Sequence, residues 1–518
     1  MRSDSESRYR IVLGEEPEPS ALAVEDLPFR IAILGDFSGR ANRGLSATRD
    51  QAAAWRPVAI DRDNIDDVMA RLKPELRIQL GQGGPQLVLA FNSPDHFGPD
   101  YLYERLDIFA KLREIRRRLA DPRTFAVAAA ELQGAAGSEP IPEPPRASSG
   151  GQQGPTTKPA VSDLVSGNLL DQVLEETPGR PQAPGRPDEL RRFVQAIVAP
   201  HLVPGADPRQ PELLAQVDRL TAESMRALLH HPDFQALESA WRGAELLVRR
   251  LETDSNLKLF LIDVSKEELA TDHGLAGDPS TTAAYHLLVE QTVRTPGAEP
   301  WALLVGNYYF GATHEDAALL AKMAEIARAA GAPFVAAARP NLVGCESLTA
   351  APHPREWHEI SDPEVAQAWR FLRSKSVATN LGLSLPRFLL RLPYGRATQP
   401  CEQFDFEEFD ATPDHEDYLW GNAAFICALL LGEDFSQSGW EMQPRGGEVG
   451  SLPLHIYAEG GESIIKPCAE ALLTEAAVEK ILDQGLMPLI SLKGRDAVRL
   501  VRFQSIASPV RALSGRWQ

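Results

Sequence analysis

The chain has 518 residues, is 43% hydrophobic and 24% charged, and carries a formal net charge of −19. Its length exceeds one ordinary core and points to about two to four domains of a globular protein. The acidic balance excludes a general binder of nucleic acid or anionic membranes, since either needs a basic face, and leaves room only for local basic patches.

Met1 to Arg10 is polar and charged, with no apolar stretch of the kind a secretory signal needs. No apolar run reaches the ~20 residues that span a bilayer. Phe29–Gly35 predicts a strand ending in a turn at Asp36-Phe37-Ser38-Gly39, and Trp55–Asp61 a second strand. Asn64–Leu72 predicts a short helix, and Glu75–Leu80 with Gln86–Phe91 a pair of strands around a Gly-rich turn. In Pro99–Leu119, Leu102, Leu106, Phe109, Leu112, Ile115 and Leu119 recur at helical spacing. Gly134 to Ser162 then holds six prolines and five glycines with almost nothing to bury, so it reads as a linker. A second Pro/Gly-rich stretch, Thr177–Pro187, isolates a short segment in which Leu169, Leu170, Val173 and Leu174 form one apolar stripe on an acidic helix. Such a stripe packs on its own protein or on a partner.

Beyond the linkers, strand-like runs alternate with helices, which implies α/β layers. Leu257–Val264, Trp301–Val305 and Phe334–Ala338 are predicted strands. Ala317–Ala330 is a predicted helix closed by Gly331, and Trp369–Leu372 is expected to begin another. Phe425–Leu431 is a buried helix or strand. After Pro232, Phe234, Leu237, Trp241 and Ala244 fall on one inward helical face, with Glu238 and Arg242 expected on a wetter neighbouring face.

Candidate chemistry is sparse. Gly35–Gly39 follows a strand as a phosphate loop would, yet lacks the Gly-Lys-Ser/Thr ending, and a structural turn explains the same letters. His230 and His231 diverge by about 100° on a helix, so a helix end before Pro232 accounts for them better than a metal. The acidic–aromatic alternation in Phe404–Phe409 predicts a strand with one buried face, and Gly446–Gly450 a flexible loop. The four cysteines, Cys345, Cys401, Cys427 and Cys468, lack metal-ligand spacing, and Cys427 lies in an apolar run as a buried thiol would. No catalytic, cofactor-binding or metal site is expected.

The string Leu229–Gly243, with His231, Pro232, Phe234, Trp241, Arg242 and Gly243, resembles a signature of the large subunit of the type VI secretion contractile sheath. Leu259–Leu269, Trp301–Phe310, Pro386-Arg387, Pro393-Tyr394-Gly395 and Trp420-Gly421-Asn422 follow in that family's order. Leu27–Ile31, Leu34–Gly39, Ile60–Asn64 and Ser93–Asp100 resemble the small subunit of the same sheath. The resemblance implies a natural fusion with an α/β (α+β) multi-layer sheath fold. A small domain (1–133) is joined by a linker (134–162) and a short helix with its own linker (163–188) to a large domain (189–518). It further implies a structural, non-enzymatic part of a cytoplasmic sheath that assembles helically around an inner tube and contracts. Its partners would be itself or other sheath subunits, the inner tube protein, baseplate proteins and the AAA+ recycling ATPase, which would recognise the stripe at Leu169–Leu174. Large subunits continue past the position of Gln518, and small subunits past Leu132, into strands that link protomers. A non-polymerising adaptor that caps or decorates a sheath is therefore the alternative.

Overall fold

The computed structural model describes residues 27–45, 55–81, 86–136, 207–274, 278–410 and 412–517. The stripe at Leu169–Leu174 and both Pro/Gly-rich stretches, apart from the residues up to Ala136, lie outside them.

The central element is a nine-stranded sheet in the order β11-β15-β14-β8-β7-β6-β1-β5-β2. The strands are β1 (Phe29–Gly35), β2 (Val58–Ile60), β5 (Leu257–Asp263), β6 (Leu303–Phe310), β7 (Phe334–Ala338), β8 (Leu381–Leu385), β11 (Gly447–Val449), β14 (Met487–Ser491) and β15 (Val498–Leu500). From β14 to β5 all neighbours are parallel, and the outer strands β2, β15 and β11 are antiparallel. Both faces are covered, which is why the inner strands read as unbroken apolar runs. Phe29, Ile31 and Ile33 of β1 enter one core, while Ala32 and Leu34 enter the other. The helices Pro232–Arg250 and Ala424–Ser438 belong to the first layer, and His314–Ala330 and Pro363–Ser374 to the second.

The expected α/β layering is present, and the structure adds how the two parts meet. β1, from the N-terminal part, pairs with β5 on one side through Phe29↔Leu257 to Gly35↔Asp263. On its other side it pairs with β6 through Ile31↔Leu303 to Leu34↔Gly306. The N-terminal part therefore supplies an inner strand of the large sheet, and its hairpin β3 (Glu75–Gln79) and β4 (Gln86–Ala90) packs beside it in the same core.

Several expectations need correction. Pro99–Leu119 is two helices, Pro99–Arg105 and Asp107–Ala120, because Leu106 is extended (φ −82°, ψ 136°) between them. The helix Phe125–Ala136 runs past the expected start of the linker at Gly134. Trp369–Leu372 lies near the end of a helix, which starts at Pro363 where the Asp362 carboxylate accepts from the Glu364 and Val365 amides. Gly447–Val449 is an edge strand against β15 and not a free loop, with Gly446 at φ +110° and its Cα packed on the Leu500 and Val501 carbonyls. The apolar run at Phe425–Leu431 is resolved as helix. Gly331 does close its helix, at φ +64° with its amide on the Ala327 and Arg328 carbonyls.

Candidate functional site

The sequence signatures converge on the helix Pro232–Arg250. The preceding helix, Gln210–Leu229, ends at His230; Nδ1 of His231 then accepts from the Asp233 amide at 3.3 Å, and Pro232 opens the next helix. The two histidines serve different partners: His230 sits 3.3 Å from both Glu408 and Asp417. Phe234 meets the rings of Phe91 and Phe97 edge-on, and the Trp241 indole meets Phe37 while donating to its carbonyl at 2.8 Å. Both side chains are fully buried and bind the two parts of the chain together. Gly243 leaves space for the Phe425 ring, which a Cβ would approach to 2.3 Å.

Glu238 is not on a wet face; it is 0% exposed. Its Oε1 accepts from Nε of Arg242 at 2.7 Å and from Nε of Arg391 at 3.0 Å. Arg391 also grips Glu408 with two parallel bonds, of 2.7 and 3.0 Å, and Glu408 accepts from the Tyr394 amide at 2.7 Å. Arg242 donates to the Tyr394 hydroxyl at 3.2 Å, and the Arg391 guanidinium lies 4.4 Å above that ring. Burial alone would raise the Glu408 carboxyl, but Arg391 and then His230 outweigh it and hold the group at about 2. Burial likewise opposes the charge on Arg391, and Glu238 and Glu408 overcome it to hold the guanidinium well above its ordinary range.

Phe404–Phe409 is not the expected strand. Its groups are spent on side-chain contacts: Glu408 on Arg391, Glu407 Oε1 on the Arg396 amide, the Glu407 carbonyl on Arg226, and Asp405 on Arg396. Gly395 fits because a Cβ there would stand 2.3 Å from the Glu407 carboxylate, and Pro393 accepts from the Thr398 hydroxyl.

A neighbouring cluster holds the other signature residues. Arg387, after Pro386, pairs with Glu416 and Glu470 and lies 5.6 Å from the Trp420 ring. Trp420 donates to the His415 carbonyl and accepts from Ser239 on its own carbonyl, both at 2.8 Å. Gly421 packs against Phe388 and Leu390, and the fully buried Asn422 donates to the Tyr308 carbonyl of β6 at 3.0 Å. His415, Glu416 and Glu470 are close enough to share an ion. Arg387 pairs with both carboxylates, and Nζ of Lys466 lies 2.8 Å from Nδ1 of His415, so these groups are already engaged with cationic side chains.

Sequence reading missed the anchor of the 36–40 turn. The Asp263 carboxylate accepts from the Phe37 and Ser38 amides at 2.9 and 3.0 Å and from the Ser38 hydroxyl at 2.7 Å. Arg40 clasps the buried Glu268. The amides a phosphate would use are therefore taken by a carboxylate. Burial raises Asp263 to about 6, against the pull of Ser38 and Arg40. No signal in Leu34–Gly39 names a partner so far away in the chain. Burial pushes the Cys427 thiol up to about 12, which makes it inert at neutral pH. Among the described residues, no helix is long and apolar enough to cross a membrane.

The profile of the VipB family, described as EvpB/VC_A0108, tail sheath N-terminal domain, matches residues 211–507. The chain belongs to this tail-sheath family. Residues 5–134 match the family described as Type VI secretion system, VipA, VC_A0107 or Hcp2. Over 307 residues the chain is 36% identical to the Type VI secretion system sheath protein TssC1 of Pseudomonas aeruginosa, covering 57% of this chain and 61% of that protein. Over 104 residues it is 29% identical to sheath protein TssB1 of the same organism, covering 19% of this chain and 58% of that protein. The chain thus spans less than two thirds of each of these relatives. One polypeptide carries parts that in these relatives belong to two proteins, both of structural sheath families.

Proposed function

We propose that this chain is a fused protomer of a type VI contractile sheath, acting structurally and without catalysis in the cytoplasm. The observation that carries this is the place of β1: a strand from the VipA-like part is hydrogen-bonded on both sides by strands of the VipB-like part. Joining the parts in one chain turns their association from a bimolecular into an intramolecular step. Copies in head-to-tail contact that does not close on itself build a helical polymer around an inner tube, above a baseplate. Contraction then needs two packings of the same protomer that differ in free energy, and relaxation from one to the other moves the tube. ATP enters only through a separate AAA+ recycling enzyme, with Leu169, Leu170, Val173 and Leu174 as its recognition stripe.

Negative-stain microscopy of the purified full chain, alone and with a tube protein and sheath subunits from the same cells, tests this reading. Helical tubes that contain the chain are expected. A chain that stays monomeric alone and is left out of tubes built by the other subunits would overturn it. Decoration of tube ends alone would favour the capping adaptor instead. For the stripe, Leu170→Asp with Leu174→Asp should abolish ATPase binding while leaving assembly intact.

A further inference from the structure

A cavity of about 440 Å³ opens where the last turn of the helix His314–Ala330, the helical turn Ser376–Asn380 and the segment 511–514 meet. Arg328, Arg511, Ser376, Thr379, Ser514 and Asn380 line it, and among the described residues no carboxylate does. On a chain of net charge −19, a concavity with two guanidiniums and no acid is a local reversal of the prevailing field.

The donors are organised. Nη1 of Arg328 donates to the Ser376 hydroxyl at 3.0 Å, which fixes the guanidinium and leaves its other N–H groups free to turn to a ligand. Arg511 uses its carbonyl, which accepts from the Ser505 amide and hydroxyl at 2.9 Å. Its guanidinium has no partner among the described residues. The carbonyls at the end of the helix His314–Ala330 would repel an anion, and those of Arg328 and Ala330 are occupied. Arg516 donates to the Ala330 carbonyl at 2.7 Å, and the Gly331 amide to the Arg328 carbonyl at 3.1 Å.

We propose that this cavity binds an organic phosphate. The guanidinium forks meet the phosphoryl oxygens and the Ser514 hydroxyl meets the polar remainder of the ligand, while Thr379 and Asn380 shape the wall by donating to the Ser376 and Ser514 carbonyls. The volume falls within the range of small-molecule sites, about 300–1,000 Å³, and exceeds what a bare phosphate fills. The proposal stands apart from the sheath reading, because a single protomer is enough to bind.

Isothermal titration of the full chain with inorganic pyrophosphate, at constant ionic strength set with sodium chloride, tests it. Saturable binding at one site is expected, weakened about tenfold or more in Arg511→Ala and in Arg328→Ala, as loss of a charge-assisted bond implies. Arg511→Lys should keep part of the affinity, since it retains the charge and loses the fork. Both arginines are exposed, so thermal midpoints of the variants should match wild type, and Arg511→Gln serves as a second variant if one does not. No saturable heat at millimolar pyrophosphate would overturn the proposal, as would equal affinity in every arginine variant. Capture of an oligo-glutamate peptide that pyrophosphate fails to displace would overturn it too, and would make the cavity a dock for acidic segments.

Discussion

Replacing Arg391 by Met removes the cation that two buried carboxylates share. The Arg391 side chain is 5% exposed, Glu238 0% and Glu408 1%. After the change Glu238 keeps Arg242, while Glu408 keeps His230 and the Tyr394 amide. Methionine fills much of the arginine stem's volume, so the loss is electrostatic more than steric. Removing one member of a buried ion pair costs about 3–5 kcal/mol, a large share of the 5–15 kcal/mol by which a folded domain is usually stable. The control is Arg396→Met, which breaks a pair whose side chains are 74% and 65% exposed; about 1 kcal/mol or less is expected there. Urea unfolding at neutral pH measures both, read from the midpoint at an unchanged slope. Adding Glu408→Gln to Arg391→Met should recover part of the loss, because one uncompensated charge then disappears. If Arg391→Met costs no more than Arg396→Met, the junction is not what holds these segments together.

Trp241→Ala should cost about 3–5 kcal/mol and yield insoluble or proteolysed protein, whereas a folded monomer that merely fails to assemble would contradict its burial against Phe37. Gly243→Ala, by thermal unfolding, should lose about 1–3 kcal/mol as the Phe425 ring is forced aside, and an unchanged midpoint would show that the ring moves freely. Glu408 and Glu470 are both held at about 2, below the ordinary 4.5, so each contributes stability that is fully present above about 4.5 and is lost as pH falls toward 2. Urea titrations across that window should show stability falling with acid, and Glu408→Gln should flatten the slope.

Local pattern was enough wherever the physics is local. β1, β5 and β7 are legible because a strand covered on both faces must be apolar along its whole length. The end of the helix His314–Ala330 is legible because Gly331 alone pays no steric cost at φ +64°. Trp241 is legible as an inward residue because helical periodicity sorts faces. The same periodicity misjudged Glu238, since it sees neighbours on one helix and not Arg391, 153 residues away. The Phe404–Phe409 alternation has the period of a strand, yet its backbone serves other partners, the Glu407 carbonyl accepting from Arg226 and the Glu408 amide donating to the Tyr394 carbonyl, neither of which the local pattern shows. The break at Leu106 carries no glycine or proline to mark it. The insertion of β1 between β5 and β6 is a choice among parallel strands of similar composition, and only burial of both cores at once decides it. Sequence by itself thus determined which segments form apolar strands and helices, because their signals lie within a few residues. Tertiary structure alone decided which of them share a sheet and which charges are buried together, because those energies depend on partners that chain position does not reveal.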